Sequence, residues 1–376
     1  MMLNRKRELK NNYPIRKEER RGNSPAYFIM LNIYNKDGWV DMPRIISWGL
    51  PFTFVVDTRG SGKTYGTLKD LLIDNPQPFI YMRRLQTQLD ACCTEEYNPL
   101  IPINSDFNKS YNFFPIKKTS SYTINESYTN ENGKLCKDGG VLALCMALST
   151  IKNLRGFSGQ GYRIGLYDEF IPEPHDVKIK EEGFAFRNAF ETINRNRELK
   201  GEKSFQMVCC ANSDRMANPM FMEFGLISKA MKMIENKQEY YINKDRGICL
   251  IIPQSSPIAE MKKNTALYKV GGNDEYNKMA LGNVFLDSQY FKATPKPLKE
   301  YRPIVRVGEL TIYKHKSNGR YYASTHTAGT CPEYKPSEIS LIRFKRDFAY
   351  VWLAYLRNKI DFEEYLCEVL LTKYFE

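Results

Sequence analysis

Histidine is scarce in this chain: His175, His315 and His326 are the only three in 376 residues, too dispersed to form a metal box. The nine cysteines include no CxxC or other ligand-like spacing, so neither a cysteine-based metal site nor a redox pair is indicated. Odd in number and set in apolar contexts such as VLALCMAL and MVCCAN, they read as reduced, buried thiols of a cytosol-like compartment. No window approaches the roughly 18 uninterrupted apolar residues of a membrane span, and the N-terminus lacks the apolar segment of a secretory signal. There is no internal repeat.

What is abundant is positive charge. With 55 Lys and Arg against 43 Asp and Glu, the formal charge is +12, which makes a polyanion such as nucleic acid the first partner to consider. Residues 1–24 form a basic arm, with eight Lys/Arg against three Glu. The length calls for more than one domain. PFTFVV reads as a strand, KTYGTLKDLLIDN as a helix with Leu68, Leu71 and Leu72 at helical spacing, and PFIYMRR as a second strand. Strand, turn, helix, strand opens a parallel α/β sheet with helices on both faces. Residues 94–140 are polar and read as a β-excursion with a hairpin at Asn132-Gly133. GGVLALCMAL, YRIGLYDEF, SFQMVCCANS and RGICLIIPQ continue the sheet. The expected division is an α/β domain over 25–255, a helical linker over 256–295, and a small α+β domain over 296–376.

The stretch VVDTRGSGKTYG, residues 55–66, carries the clearest chemistry. Gly60 and Gly62 let backbone N–H groups approach phosphate oxygens, and the helix that follows presents its positive end to them. Lys63 then reaches the β- and γ-phosphates, and Thr64 ligates Mg²⁺, so the stretch Thr58, Gly60, Ser61, Gly62, Lys63, Thr64 and Tyr65 is the candidate nucleotide cradle. Asp57 departs from the full pattern, which places glycine there. The acidic pair expected at the end of a second strand is Asp168, on the metal side, and Glu169, placed to orient or deprotonate the attacking water. ETINRNRELKG offers Arg195 and Arg197 as transition-state cations supplied to a neighbouring subunit. Arg59, inside the loop, either contacts the γ-phosphate or holds Glu169 between turnovers. Asn212, ending MVCCANSD, is placed to sense the γ-phosphate.

These motifs, in order over residues 50–225, resemble the large-subunit terminase class of phage genome-packaging ATPases, most closely the short motors of small protein-primed tailed phages. The resemblance rests on Thr58–Thr64, FIYMRR, the basic-glycine turn in LSTIKNLRGFSGQGYRIGLYDE, INRNR and VCCANSDRMANP. It implies an ASCE/RecA-like ATPase core that uses ATP and Mg²⁺. It also implies a homomeric ring, commonly of five subunits, docked on the portal of a procapsid in the host cytoplasm and driving double-stranded DNA inward, with an RNA or protein adaptor as a further possible partner and no membrane. Lys63, Thr64, Asp168, Glu169, Arg195 or Arg197, Asn212 and Arg59 inherit the family roles.

Larger terminases carry an RNase H-like nuclease whose aspartates hold two metals. Here RPIVRV, LTIYKH and RYYAST contain no Asp, so residues 296–376 resemble a degenerate, nuclease-inactive version of that fold. Arg302, Arg306, Lys314, Lys316 and Arg320 are candidates for tracking phosphates or binding the portal. Two alternatives stand beside the motor: a terminase with an active nuclease, and a nucleotide-dependent DNA clamp without translocation.

Overall fold

The apolar run that ends at Val56 is buried because it lies inside a large sheet with helices on both faces. The structure is a computed structural model that describes residues 33–376 except 155, 156, 158, 174 and 273; the basic arm of residues 1–24 and the start of AYFIMLNIYN lie outside the described residues. Among those described, the large sheet contains β1 (Phe52–Val56), β2 (Phe79–Arg83), β3 (Tyr111–Pro115), β4 (Tyr122–Thr129) and β5 (Leu135–Ala147), followed by β6 (Ile164–Asp168), β7 (Gln206–Ala211), β8 (Tyr240–Asn243) and β9 (Ile248–Ile251). Their order is β3-β4-β5-β2-β6-β7-β1-β9-β8. The six central strands, β5 to β9 in that order, pair in parallel, while β3–β4, β4–β5 and β8–β9 are antiparallel.

Strands covered on both faces read as continuous apolar runs, and here alternate residues supply two separate cores. Phe54, Val56, Ile80, Met82, Tyr167, Met207 and Cys209 face one core, closed by Phe186, Ala189 and Ile193 of the helix Glu182–Asn194. Val55, Phe79, Tyr81, Leu166, Val208 and Cys210 face the other, closed by Leu68, Leu71 and Leu72 after the phosphate loop and by Met42, Ile45 and Ile46. All nine cysteines are free, and six are buried.

The polar stretch 94–140 adds the β3–β4–β5 meander to the sheet edge, with Gly133 at φ +74° in the turn. Residues 257–282 hold three short helices, Pro257–Lys262, Ala266–Gly271 and Glu275–Gly282. They are anchored at the carboxyl end of β1, where Asn283 Nδ2 donates to Val56 O at 3.0 Å and Pro253 O at 2.8 Å. A second sheet follows, with β10 (Tyr301–Val307), β11 (Leu310–His315), β12 (Tyr321–Ser324), β13 (Glu333–Tyr334) and β14 (Ile360–Phe362) in the order β13-β10-β11-β12-β14. Its core of Val305, Val307, Ile312 and Ala323 is sealed by Phe344, Val351, Leu370 and Leu371 from three helices in the tail. Residues 33–376 form one compact unit.

Candidate functional site

β1 delivers the chain at Val56 to a turn that only glycine serves well: Gly60 has φ +67° and Gly62 φ +89°. The helix Lys63–Lys69 begins immediately afterwards. A Cβ on Gly62 would stand 3.2 Å from the Trp39 ring, so the indole lies directly over the loop. Asp57 does not take a positive φ, which is why this position tolerates a side chain. Its buried carboxyl accepts from Thr58 N at 2.6 Å and from the Tyr34 hydroxyl at 3.4 Å. Burial pushes that carboxyl above its usual range, and the Lys63 ammonium opposes the shift.

Lys63 is buried and its ammonium is held by Asp57 O and Thr58 O, both at 2.9 Å, by Asn212 Oδ1 at 3.3 Å and by Ser61 Oγ at 3.4 Å. Thr64 Oγ1 donates to Asp168 Oδ1 at 2.7 Å, so the residue that follows the lysine touches the end of β6 directly. Because β7 lies between β1 and β6, Ala211 and Asn212 at its end fill the gap between loop and carboxylates. A cavity of about 860 Å³ spans these groups, bounded by Trp39 and Tyr65 on one side and by Lys63, Asp168, Glu169 and Asn212 on the other. That volume lies within the range of small-molecule and cofactor sites.

Glu169 adopts φ +54°, uncommon for a residue with a side chain and frequent at working sites. Its carboxylate is gripped by Arg83 at the end of β2, whose other nitrogen reaches Asp168 Oδ2 at 2.9 Å. Burial pushes Glu169 upward, with Arg83 opposing. Of the two roles expected for Arg59, holding Glu169 is not seen: Arg59 Nη2 pairs with Glu173 at 3.0 Å, and Arg83 has the task instead.

Arg83 is the residue that sequence reading missed. Its signal is two consecutive arginines closing an apolar strand, since a buried charge persists only with a partner. The second, Arg84, is 1% exposed and bidentate to Glu182 at 2.7 and 2.8 Å. Glu182 opens the helix whose C-cap is Arg195, so neighbouring residues at the end of β2 grip the acidic pair and that helix.

Arg195 and Arg197 lie away from this cavity. They line a second one of about 330 Å³ with Arg163, Lys200 and Glu202, at the amino ends of β6 and β7. That is the opposite edge of the sheet, roughly 15 Å along β6 from the phosphate loop. Arg195 is exposed, at a left-handed φ of +45°. Arg197 is buried, donates to Gly159 O at 2.5 Å and stacks over Phe205, with Nη1 left unpartnered. Among the five basic candidates of the second sheet, Arg306 pairs with Glu333 at 3.4 Å and Arg320 with Asp361 at 2.7 Å. Lys316 donates to Lys299 O at 2.6 Å. Among the described residues no group of three or more His, Cys, Asp or Glu is placed to hold a metal ion.

A large, mostly parallel sheet, with a glycine-bent turn around a buried lysine and carboxylates one strand removed, makes this a mixed α/β protein. The podovirus DNA encapsidation protein (Gp16) family matches residues 34–326, and the chain belongs to that family of phage DNA-packaging proteins. A DNA packaging protein of Bacillus phage B103 is 25% identical over 252 residues, covering 66% of this chain and 68% of the relative. The fold is similar to that of the bacteriophage Phi-29 viral genome packaging motor assembly, with TM-score 0.59, 18% identity and coverage of 90% of this chain and 99% of that one. The Phi-28 gp11 DNA packaging motor is similar at TM-score 0.55 and 18% identity, covering 91% and 99%.

Proposed function

We propose that this protein hydrolyses ATP to drive double-stranded DNA into a preformed capsid, acting as a homomeric ring, commonly of five subunits, at the portal in the host cytoplasm. The observation that carries the reading is the Thr64–Asp168 bond of 2.7 Å, which brings the loop and the acidic strand to one cavity beside Lys63. The residues present suit a magnesium-bound triphosphate: a buried ammonium, a positive-φ glycine turn that walls the cavity, and a hydroxyl beside a carboxylate. Thr64 and Asp168 would hold Mg²⁺, which when bound neutralises charge on the phosphates. Backbone groups of Gly60, Ser61 and Gly62 orient the phosphates, with Thr58 and Tyr65 at the sides of the cradle. Glu169 takes the proton of the attacking water at its carboxylate. Asn212, already bonded to Lys63, reports the state of the terminal phosphate. Arg59 reaches the γ-phosphate from within the loop.

Of the two arginines expected to act across subunits, Arg195 is exposed and lies away from its own loop, which supports its acting on a nucleotide held by the next subunit, whereas Arg197 is buried against Gly159 and Phe205. We read residues 1–24 as an arm, 25–255 as the ATPase domain, 256–295 as a helical connection and 296–376 as a reduced RNase H-like domain that does not cut. The strands β10 to β12 without Asp, and Asp361 of β14 tied to Arg320, support that last assignment. Phosphate release measured with and without duplex DNA tests the proposal: the wild type should turn over ATP and Lys63→Ala should not. Undiminished turnover in Lys63→Ala would remove it.

A further inference from the structure

The helix Pro257–Lys262 ends on a lysine that reaches back some two hundred positions in the chain to the phosphate loop. Lys262 Nζ donates to Arg59 O at 2.5 Å and to Gly60 O at 3.2 Å, and both residues wall the large cavity. Gly60, at φ +67°, lies directly beside that ammonium. The next residue, Lys263, has a carboxylate partner in Glu260 at 2.6 Å; Lys262 has none among the described residues. Burial pushes its ammonium down, the neighbouring Lys63 and Arg59 charges add to that shift, and the Asp57 carboxylate opposes it. Three cations therefore meet at one short turn; Asp57 lies beside Lys63 and Glu173 holds Arg59, while among the described residues Lys262 is bonded to two neutral carbonyls. An ionised oxygen makes a shorter and stronger bond to an ammonium than a carbonyl does. The crowding is at the end of the site where Lys63 works, which is the β,γ end of a triphosphate.

We propose that Lys262 is a further nucleotide contact, supplied in the same chain by the helical segment after β9, that recognises the terminal phosphate of a bound triphosphate. It thereby distinguishes ATP from ADP. The inference rests on the nucleotide reading above. Lys262 leaves the two loop carbonyls for the anion, drawing its helix toward the loop. That helix belongs to the segment held to Val56 O by Asn283 and to Ser213 by Met279 O at 3.4 Å, so the movement bears on the ends of β1 and β7.

The test is equilibrium binding, by calorimetry, of a non-hydrolysable ATP analogue and of ADP to the full chain and to Lys262→Met and Lys262→Arg. In Lys262→Met the affinity for the ATP analogue should fall about tenfold while that for ADP stays within about twofold, the loss of one charge-assisted contact. Lys262→Arg should recover most of the difference. Equal weakening of both nucleotides, or no change in either, would overturn the role of Lys262 while leaving the phosphate loop intact. A wild-type chain that takes up neither nucleotide would instead overturn the reading on which it rests.

Discussion

Asp168 and Glu169 are adjacent, yet their surroundings divide their work. Asp168 uses one oxygen on Thr64 and the other on Arg83, and so belongs to the loop; Glu169, with its side chain half exposed, is paired with Arg83. Burial raises the Glu169 carboxyl, and Arg83 holds it back from rising further. A base works only when deprotonated, so hydrolysis should rise with pH through a limb placed above the ordinary carboxylate range. Replacing Arg83 by Gln removes the opposing charge, and that limb should move to still higher pH in a rate profile. A profile that stays in place would mean that Glu169 is not the titrating base. Asp57 bears on the same question of charge. It sits where a phosphate loop ordinarily has glycine, and the structure accommodates it because Asp57 needs no positive φ and its carboxyl accepts from Thr58 N and the Tyr34 hydroxyl.

Among the elements, β6 shows best what the sequence made legible. YRIGLYDE reads as a strand interrupted by Arg163 and Gly165, and the structure explains both. Arg163 precedes the strand, while Gly165 is required because a Cβ there would meet the Phe205 ring at 2.9 Å and Met207 Sδ at 3.1 Å. The phosphate loop, its helix, the flanking strands and the β-excursion were all readable, because glycine at fixed spacing and doubly buried strands leave local signatures. The partners of Glu169, the lysine that reaches the loop from residue 262, and the separation of Arg195 from its own loop were not. They depend on strand order and on contacts between residues far apart in the chain, which no local pattern records. The Arg84–Glu182 pair is of that kind, with side chains 1% and 2% exposed. Breaking a buried pair leaves an uncompensated charge, so Glu182→Ala should cost about 3–5 kcal/mol in denaturant unfolding. An unchanged midpoint would show that the pair does not hold the helix Glu182–Asn194 to β2.

For the whole molecule the charge of +12 is the dominant fact, and it predicts DNA binding that weakens steeply as salt rises and counterions are no longer released at profit to binding. An affinity indifferent to salt would contradict a surface that tracks phosphates. The proposed ring makes a second prediction: mixing wild-type chains with Arg195→Ala chains should depress ATP turnover more than the mutant fraction alone. Linear dilution would place the role of Arg195 elsewhere. The proposed function rests on one cavity, where Lys63 would grip a triphosphate and Glu169 would direct water at it. The most direct measurement is to follow nucleotide binding and phosphate release side by side in Glu169→Gln. Binding should remain close to wild type while turnover falls by about 10²–10⁴-fold. A Glu169→Gln chain that turns over ATP at the wild-type rate would contradict the account.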